Sequence, residues 1–172
     1  MHALDEVNPR MSDALWYPAV DDVLAIHENI VAEYPKTEPG VRARGAIDFA
    51  IEYVESGTFD DVPNTIHGRA VHLLRLLVAN HPFVDGNKRT ALNTVVVFYF
   101  FNGYRFSYDG EIEDILKRFA SDEAEVERQE VLEYFRNHVE RMTLEDAVDE
   151  WRDDLLAYGV ERLSEERSDP ND

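Results

Sequence analysis

His81, Asp85, Gly86, Asn87, Lys88 and Arg89 fall within nine residues of one another, and their types are those that phosphate chemistry needs. A histidine can take the proton of an attacking hydroxyl. Asp85 can hold a Mg2+ ion that bridges phosphate oxygens. Gly86 reaches backbone angles closed to other residues and lets a ligand approach the main chain. Asn87 suits the N-cap of a helix beginning there, and Lys88 and Arg89 put two cations on its first turn. That choice is locally unfavourable, because the N-terminal end of a helix dipole is already positive. Such an end calls for an anion, and phosphate fits it. Base, metal ligand and phosphate cradle form a kit for phosphoryl or nucleotidyl transfer. The bland alternative has His81 capping the preceding helix and both cations merely solvated; the compactness of the set weighs against it. Phe83 reads as a core anchor that pins the loop.

The elements around this loop read as helices. Val20 to Tyr34 places Val23, His27, Ile30 and Tyr34 on one stripe, and Pro35 ends it. Residues 34–40, with two prolines and a glycine, read as a loop. Ala46 to Val54 repeats the helical stripe, with Gly57 as its stop. Residues 57–66 lack periodicity and form a loop or short hairpin. Arg69 to Asn80 is an apolar helix leading into the motif. Lys88 to Phe101 is apolar on nearly every side beyond its first turn, so it is expected to be the central buried helix. Asn102-Gly103 ends it, and Tyr104 to Tyr108 can be extended. Amphipathic helices are expected over Glu111 to Ala120, Glu123 to Met142 and Leu144 to Leu163, the last capped by Thr143. The fold class is all-α: a domain over 1–142, and over 143–172 an amphipathic helix with an acidic tail, packed on the domain or in a dimer interface.

Charge and composition narrow the function. The chain of 172 residues has 17 Lys and Arg against 36 Asp and Glu, a net charge of −19. Only Lys36, Lys88 and Lys117 are lysines. Residues 1–108 hold 14 acids and 9 bases, and residues 109–172 hold 22 acids and 8 bases. A surface of this sign repels nucleic acid and anionic lipid, so neither is expected as a partner. Acid excess with lysine depletion points to a halophilic protein in a salty cytoplasm, where the repulsion is screened. With no cysteine, disulfides and thiolate chemistry are excluded. No signal-like or membrane-spanning stretch is read, and a cytoplasmic protein is expected.

The run from His81 to Ala91 resembles the HPFxxGNKRTA signature of the Doc (death-on-curing) branch of the Fic family. The resemblance extends from about Trp16 to about Val139, through Val23-Leu24-Ala25-Ile26-His27 and Asn102-Gly103-Tyr104. It implies a Fic/Doc fold built around the helix after the motif, with His81 as catalytic base and Asp85 as the Mg2+ ligand. Gly86, Asn87, Lys88 and Arg89 would hold the phosphates of ATP as co-substrate. Adenylylating members carry His-x-Phe-x-Asp/Glu-Gly-Asn-Gly-Arg-x-x-Arg. Here Lys88 stands at the second glycine and Leu92 at the final arginine. The lysine obstructs a phosphate packed on the backbone, and the missing arginine removes a clamp. The resemblance therefore implies transfer of the γ-phosphoryl group to a protein hydroxyl, with a translation elongation factor as target, ahead of adenylylation. It also implies a toxin held in check by a Phd-like antitoxin that folds on binding, since the inhibitory Ser/Thr-x-x-x-Glu-Gly/Asn signature occurs nowhere in the chain.

Two other readings compete. Arg75 and His81 fit the spacing of HEPN-type ribonucleases, but that pattern leaves Gly86 to Arg89 without a role. A non-catalytic binding module is the second, and the intact His81, Asp85, Asn87 and Arg89 weigh against it. His27 and His72 lie on helical stripes as core residues. His67 could line the site, with helix capping the plainer role. Residues 57–66 match in position the flap with which Fic-family proteins hold a target segment by strand pairing.

Overall fold

The computed structural model describes residues 15–149 and 152. The chain divides into two compact units, residues 1–140 and 141–172. The first is a helical bundle of α1 (Val20–Glu33), α2 (Arg44–Ser56), α3 (Ile66–Ala79), α4 (Asn87–Phe101), α5 (Glu111–Ser121) and α6 (Arg128–His138). A two-stranded sheet pairs β1 (Tyr104–Phe106) with β2 (Val139–Arg141). None of the described helices is long and apolar enough to cross a membrane.

Local chemistry sets most element ends. In α1 the Asp22 carboxylate accepts from the Ala19 amide at 2.7 Å, so the first turn is closed by its own side chain. Thr65 caps α3, its hydroxyl accepting from Gly68 N at 3.2 Å. Gly57 ends α2 in the left-handed conformation, as expected of a glycine just past a helical stripe.

Helices α3 and α4 share the centre. α4 packs against α1, α3, α5 and β1, while α3 packs against α2, α4, α5 and α6. α3 is the more completely buried of the two, with Ala70, Val71, Leu73, Leu74 and Val78 at 0 % exposure, whereas Asn93 and Phe101 of α4 reach the surface. The apolar run of α4 places it at the centre as expected, and α3 shares that place. Burial on all sides follows from having neighbours on all sides, and α3 has them. Two threonines are tolerated inside α4 because the Thr94 hydroxyl donates back to the Thr90 carbonyl at 2.8 Å and the Thr90 hydroxyl pairs with His27 Nδ1 at 3.0 Å.

The helix expected over Glu123 to Met142 is broken. A short 3-10 turn covers Glu123–Glu125, Val126 is extended and buried, α6 runs only to His138, and the chain then becomes β2. Pairing with β1 satisfies the backbone there, and it overrides the amphipathic helical pattern expected to run on to Met142. In the second unit the described helix spans residues 144–149. Thr143 caps it as expected, the Thr143 hydroxyl accepting from Asp146 N at 3.1 Å and Asp146 accepting from Thr143 N at 3.0 Å. Leu144 and Val148 are exposed; Trp151, Leu155 and Leu163 lie outside the described residues.

Candidate active site

The motif loop is built by neutral hydrogen bonds. α3 ends at Asn80, and His81 follows with φ 43°, in the left-handed region that residues with a side chain seldom enter. Pro82 O accepts from the amides of Arg42 at 2.8 Å and Ala43 at 3.1 Å, and Val84 N donates to Gly40 O at 3.0 Å. Phe83 and Val41 form an antiparallel bridge between these bonds. Phe83 is 1 % exposed and stacks on His27, ring centroids 3.8 Å apart, so it is the anchor its type suggested. Asn87 closes the loop: Phe83 N donates to Asn87 Oδ1 at 2.9 Å and Asn87 Nδ2 donates to Phe83 O at 3.0 Å. The N-cap position falls on Gly86, one residue earlier than expected, and the Asn87 side chain shapes the loop instead of capping the helix.

Gly86 is required where it stands. Its φ is 75°, and a Cβ there would come within 3.1 Å of Thr37 Cγ2 and 3.5 Å of His27 Cε1. The first bond of α4 runs from Thr90 N to Gly86 O, so the amides of Asn87, Lys88 and Arg89 have no acceptor inside the helix. Lys88 and Arg89 are exposed beside them. The Arg89 guanidinium lies 4.2 Å from the Tyr34 ring centroid, and Nη1 is 3.5 Å from Thr37 Oγ1. Three open amides and two cations make a cradle for an anion.

Asp85 accepts from Gly86 N at 2.6 Å and from Glu38 N at 3.2 Å. The Gly86 amide first, then that of Glu38, hold its carboxyl below the usual carboxylate range, with Arg89 adding to the effect. It is ionised at neutral pH and open to solvent. Among the described residues no three His, Asp or Glu side chains gather as a metal cage. A single carboxylate beside a phosphate cradle fits Mg2+ all the same, since that ion takes one or two carboxylates and completes its shell with phosphate and water oxygens.

His81, Asp85, Gly86, Asn87, Lys88 and Arg89 all line one cleft of about 970 Å3. Its second wall comes from α5 and the turn before it, with Tyr108, Ile112, Glu113, Leu116 and Lys117. The lining is mixed, with the cations and open amides of the motif, the apolar side chains of Leu92, Ile112 and Leu116, and the charged Glu113 and Lys117.

The model of the Fic/DOC family matches residues 17–99. The protein named Toxin Doc from Mycolicibacterium smegmatis is 30% identical over 91 residues, covering 51% of this chain and 70% of that one. The chain belongs to the Fic/DOC family. The HPFxxGNKRTA form of its motif puts it in the Doc branch, and the helical bundle around α3 and α4 is the Fic/Doc fold.

Other candidate residues of this Fic/DOC protein lie elsewhere. Arg75 donates to His72 Nδ1 at 3.1 Å and to Glu123 at 3.0 Å, and it is no part of the cleft wall that carries His81. His67 pairs with the Tyr99 hydroxyl at 2.9 Å. Residues 57–66 do not line the cleft; Asp61 ties that loop to His72 and Arg128. The segment beside the motif is 38–43. Composition hid it, because Pro39 and Gly40 mark a loop and say nothing of its partner. Thr37, Tyr34 and the α5 wall were equally invisible, since no local pattern ties them to residues several helical turns or a whole element away.

Proposed function

We propose that this protein is the toxin of a toxin–antitoxin pair and transfers the γ-phosphoryl group of ATP to a hydroxyl of a protein target. The observation that carries this reading is the shape of the cradle. Open amides and two cations stand at the N-terminus of α4, with His81 at the rim of the same cleft. The amides of residues 87–89, Lys88 and Arg89 bind and orient phosphate oxygens, and Asn87 keeps the loop that presents them in register. His81 takes the proton of the acceptor hydroxyl as its oxygen bonds to phosphorus and ADP leaves. Asp85 is the residue that would hold Mg2+, which when bound neutralises phosphate charge. The apolar lining from Leu92, Ile112 and Leu116 suits a nucleoside. Segment 38–43 lies where a target strand could pair beside His81.

Phosphoryl transfer is preferred to adenylylation because Lys88 fills the glycine position and Leu92, 8 % exposed, stands where the adenylylating members carry arginine. By the Doc resemblance the target is a translation elongation factor, and the controlling partner is a Phd-like antitoxin. ATP labelled separately on its α- and γ-phosphates, incubated with the protein and a cell extract, tests the reading. γ-Label on a protein band is expected; α-label there would mean an adenylyltransferase.

A further inference from the structure

Acids outnumber bases by 36 to 17 in this chain, so several cations without carboxylate partners gathered at one place stand out against its surface. Arg44, Arg75, Arg118 and Arg128 each have one within 4 Å. Lys36, Arg42, Arg136, Lys88, Arg89 and Lys117 have none among the described residues, and the last three line the same cleft. Two of the chain's three lysines thus converge there, one on each wall. The acids of the cleft are partly spoken for. Asp85 is bound to two amides, and Asp109 accepts from Tyr134 at 3.0 Å and pairs with His138 at 3.2 Å. Glu113, one helical turn before Lys117, is suited by spacing to pair with it, yet no ion pair joins them.

On α5 the residues Ile112, Ile115, Leu116 and Phe119 are buried in the core, while Glu113 and Lys117 are exposed along the cleft. The helix backbone is rigidly seated, so the Lys117 ammonium has a defined place from which to reach. Leu92, where an arginine clamp is missing, lines the cleft as well. α5 lies beyond the segment 17–99 matched by the family model, so this cation belongs to no part of the motif.

We propose that Lys117 is a second phosphate-contacting residue, which closes on the polyphosphate chain from the wall facing the motif and supplies the positive charge that Leu92 lacks. A compact, flexible ammonium suits this task, because it follows a phosphate oxygen without demanding a fixed fork geometry. The inference rests on the phosphate-transfer reading of the same cleft.

The test is calorimetric titration of the full chain with Mg2+-ATP and, separately, with inorganic tripolyphosphate. Lys117→Met keeps the apolar stem and removes the charge; Lys117→Arg restores charge. Lys117→Met is expected to weaken both ligands roughly 5- to 10-fold, as loss of one partly screened charge-assisted contact would. It should also flatten the dependence of affinity on NaCl, a readout that a purely structural role would not move. Lys117→Arg should recover most of the affinity, with the melting temperature unchanged in both variants. Wild-type affinity and salt slope in Lys117→Met would overturn the assignment and leave the nucleotide reading standing. Tripolyphosphate binding that depends on Lys117, with no binding of Mg2+-ATP, would keep the assignment and overturn the nucleotide reading. A wild-type protein that bound neither would overturn both.

Discussion

Helix α3 is preceded by the loop 57–65 and followed by the motif loop 81–86, and the two are held by opposite means. In the first, charge is consumed: Asp61 bonds His72 at 3.0 Å and Arg128 at 3.0 Å, and Arg75 continues the chain from His72 to Glu123. In the second, no ion pair takes part: Asn87, the backbone of 40–43 and the Phe83 stack on His27 hold it, and the Asp85 carboxylate adds bonds to two amides. Both loops are well pinned. The motif loop leads into a first turn of α4 whose Lys88 and Arg89 have no carboxylate partner, and its own Asp85, though held by two amides, is open to solvent. Rigidity does not distinguish the two loops; cationic charge without an ionic partner does.

The sharpest way to break this contrast is His81→Ala. It should lower phosphoryl transfer about 10²- to 10⁴-fold, the usual worth of a general base, while the Kd for Mg2+-ATP and the melting temperature stay near wild type. A variant that kept most of its rate would remove the base from His81.

Acid should act on the other loop. Burial first, then Arg75, lower the His72 pKa from 6.5 to about 4, which matches a neutral ring that accepts from Arg75 and donates to Asp61. The unfolded chain takes up this proton at higher pH than the folded one, so stability present at neutrality is lost as pH falls from 6.5 to about 4. The loss is up to about 3 kcal/mol. Chemical denaturation across that range should show the slope, and His72→Gln should flatten it, whatever its stability at pH 7. An unchanged slope would mean the acid sensitivity lies in other groups.

Gly86→Ala should cost about 1–2 kcal/mol, because φ 75° is strained for a residue with a Cβ, and the new methyl would press on Thr37. The thermal midpoint reports this, and phosphate affinity should fall with it. The smallest effect belongs to Tyr34. Losing the ring beneath Arg89 in Tyr34→Leu removes about 0.5–1 kcal/mol of exposed cation–π attraction, a few-fold weakening of Mg2+-ATP binding. Tyr34→Phe should bind as wild type does; if it weakened as much as Tyr34→Leu, the hydroxyl and not the ring would matter.

Much of the site could be read locally. His81, Asp85, Gly86, Lys88 and Arg89 are close in the chain, and a loop followed at once by a helix brings such neighbours together in any fold. The helical stripes likewise located α1 to α5 to within a few residues, since periodicity is a property of one segment. Asn87 was recognised by type and misjudged in detail: a helix-start asparagine usually caps, and here the Phe83 backbone outcompeted that role. The break after His138 escaped notice because the strand exists only by pairing with Tyr104–Phe106.

The sequence by itself determined the residue types and spacing of the motif and the all-helical class, because each depends on residues within a turn or two of one another. Tertiary structure alone decided that His27 and Thr37 lie under the loop, that Tyr34 supports Arg89, that 38–43 and not 57–66 borders His81, and that Lys117 shares the cleft. Those relations join residues separated by tens of positions, and only the packing of α1 and α5 around α3 and α4 sets which faces meet.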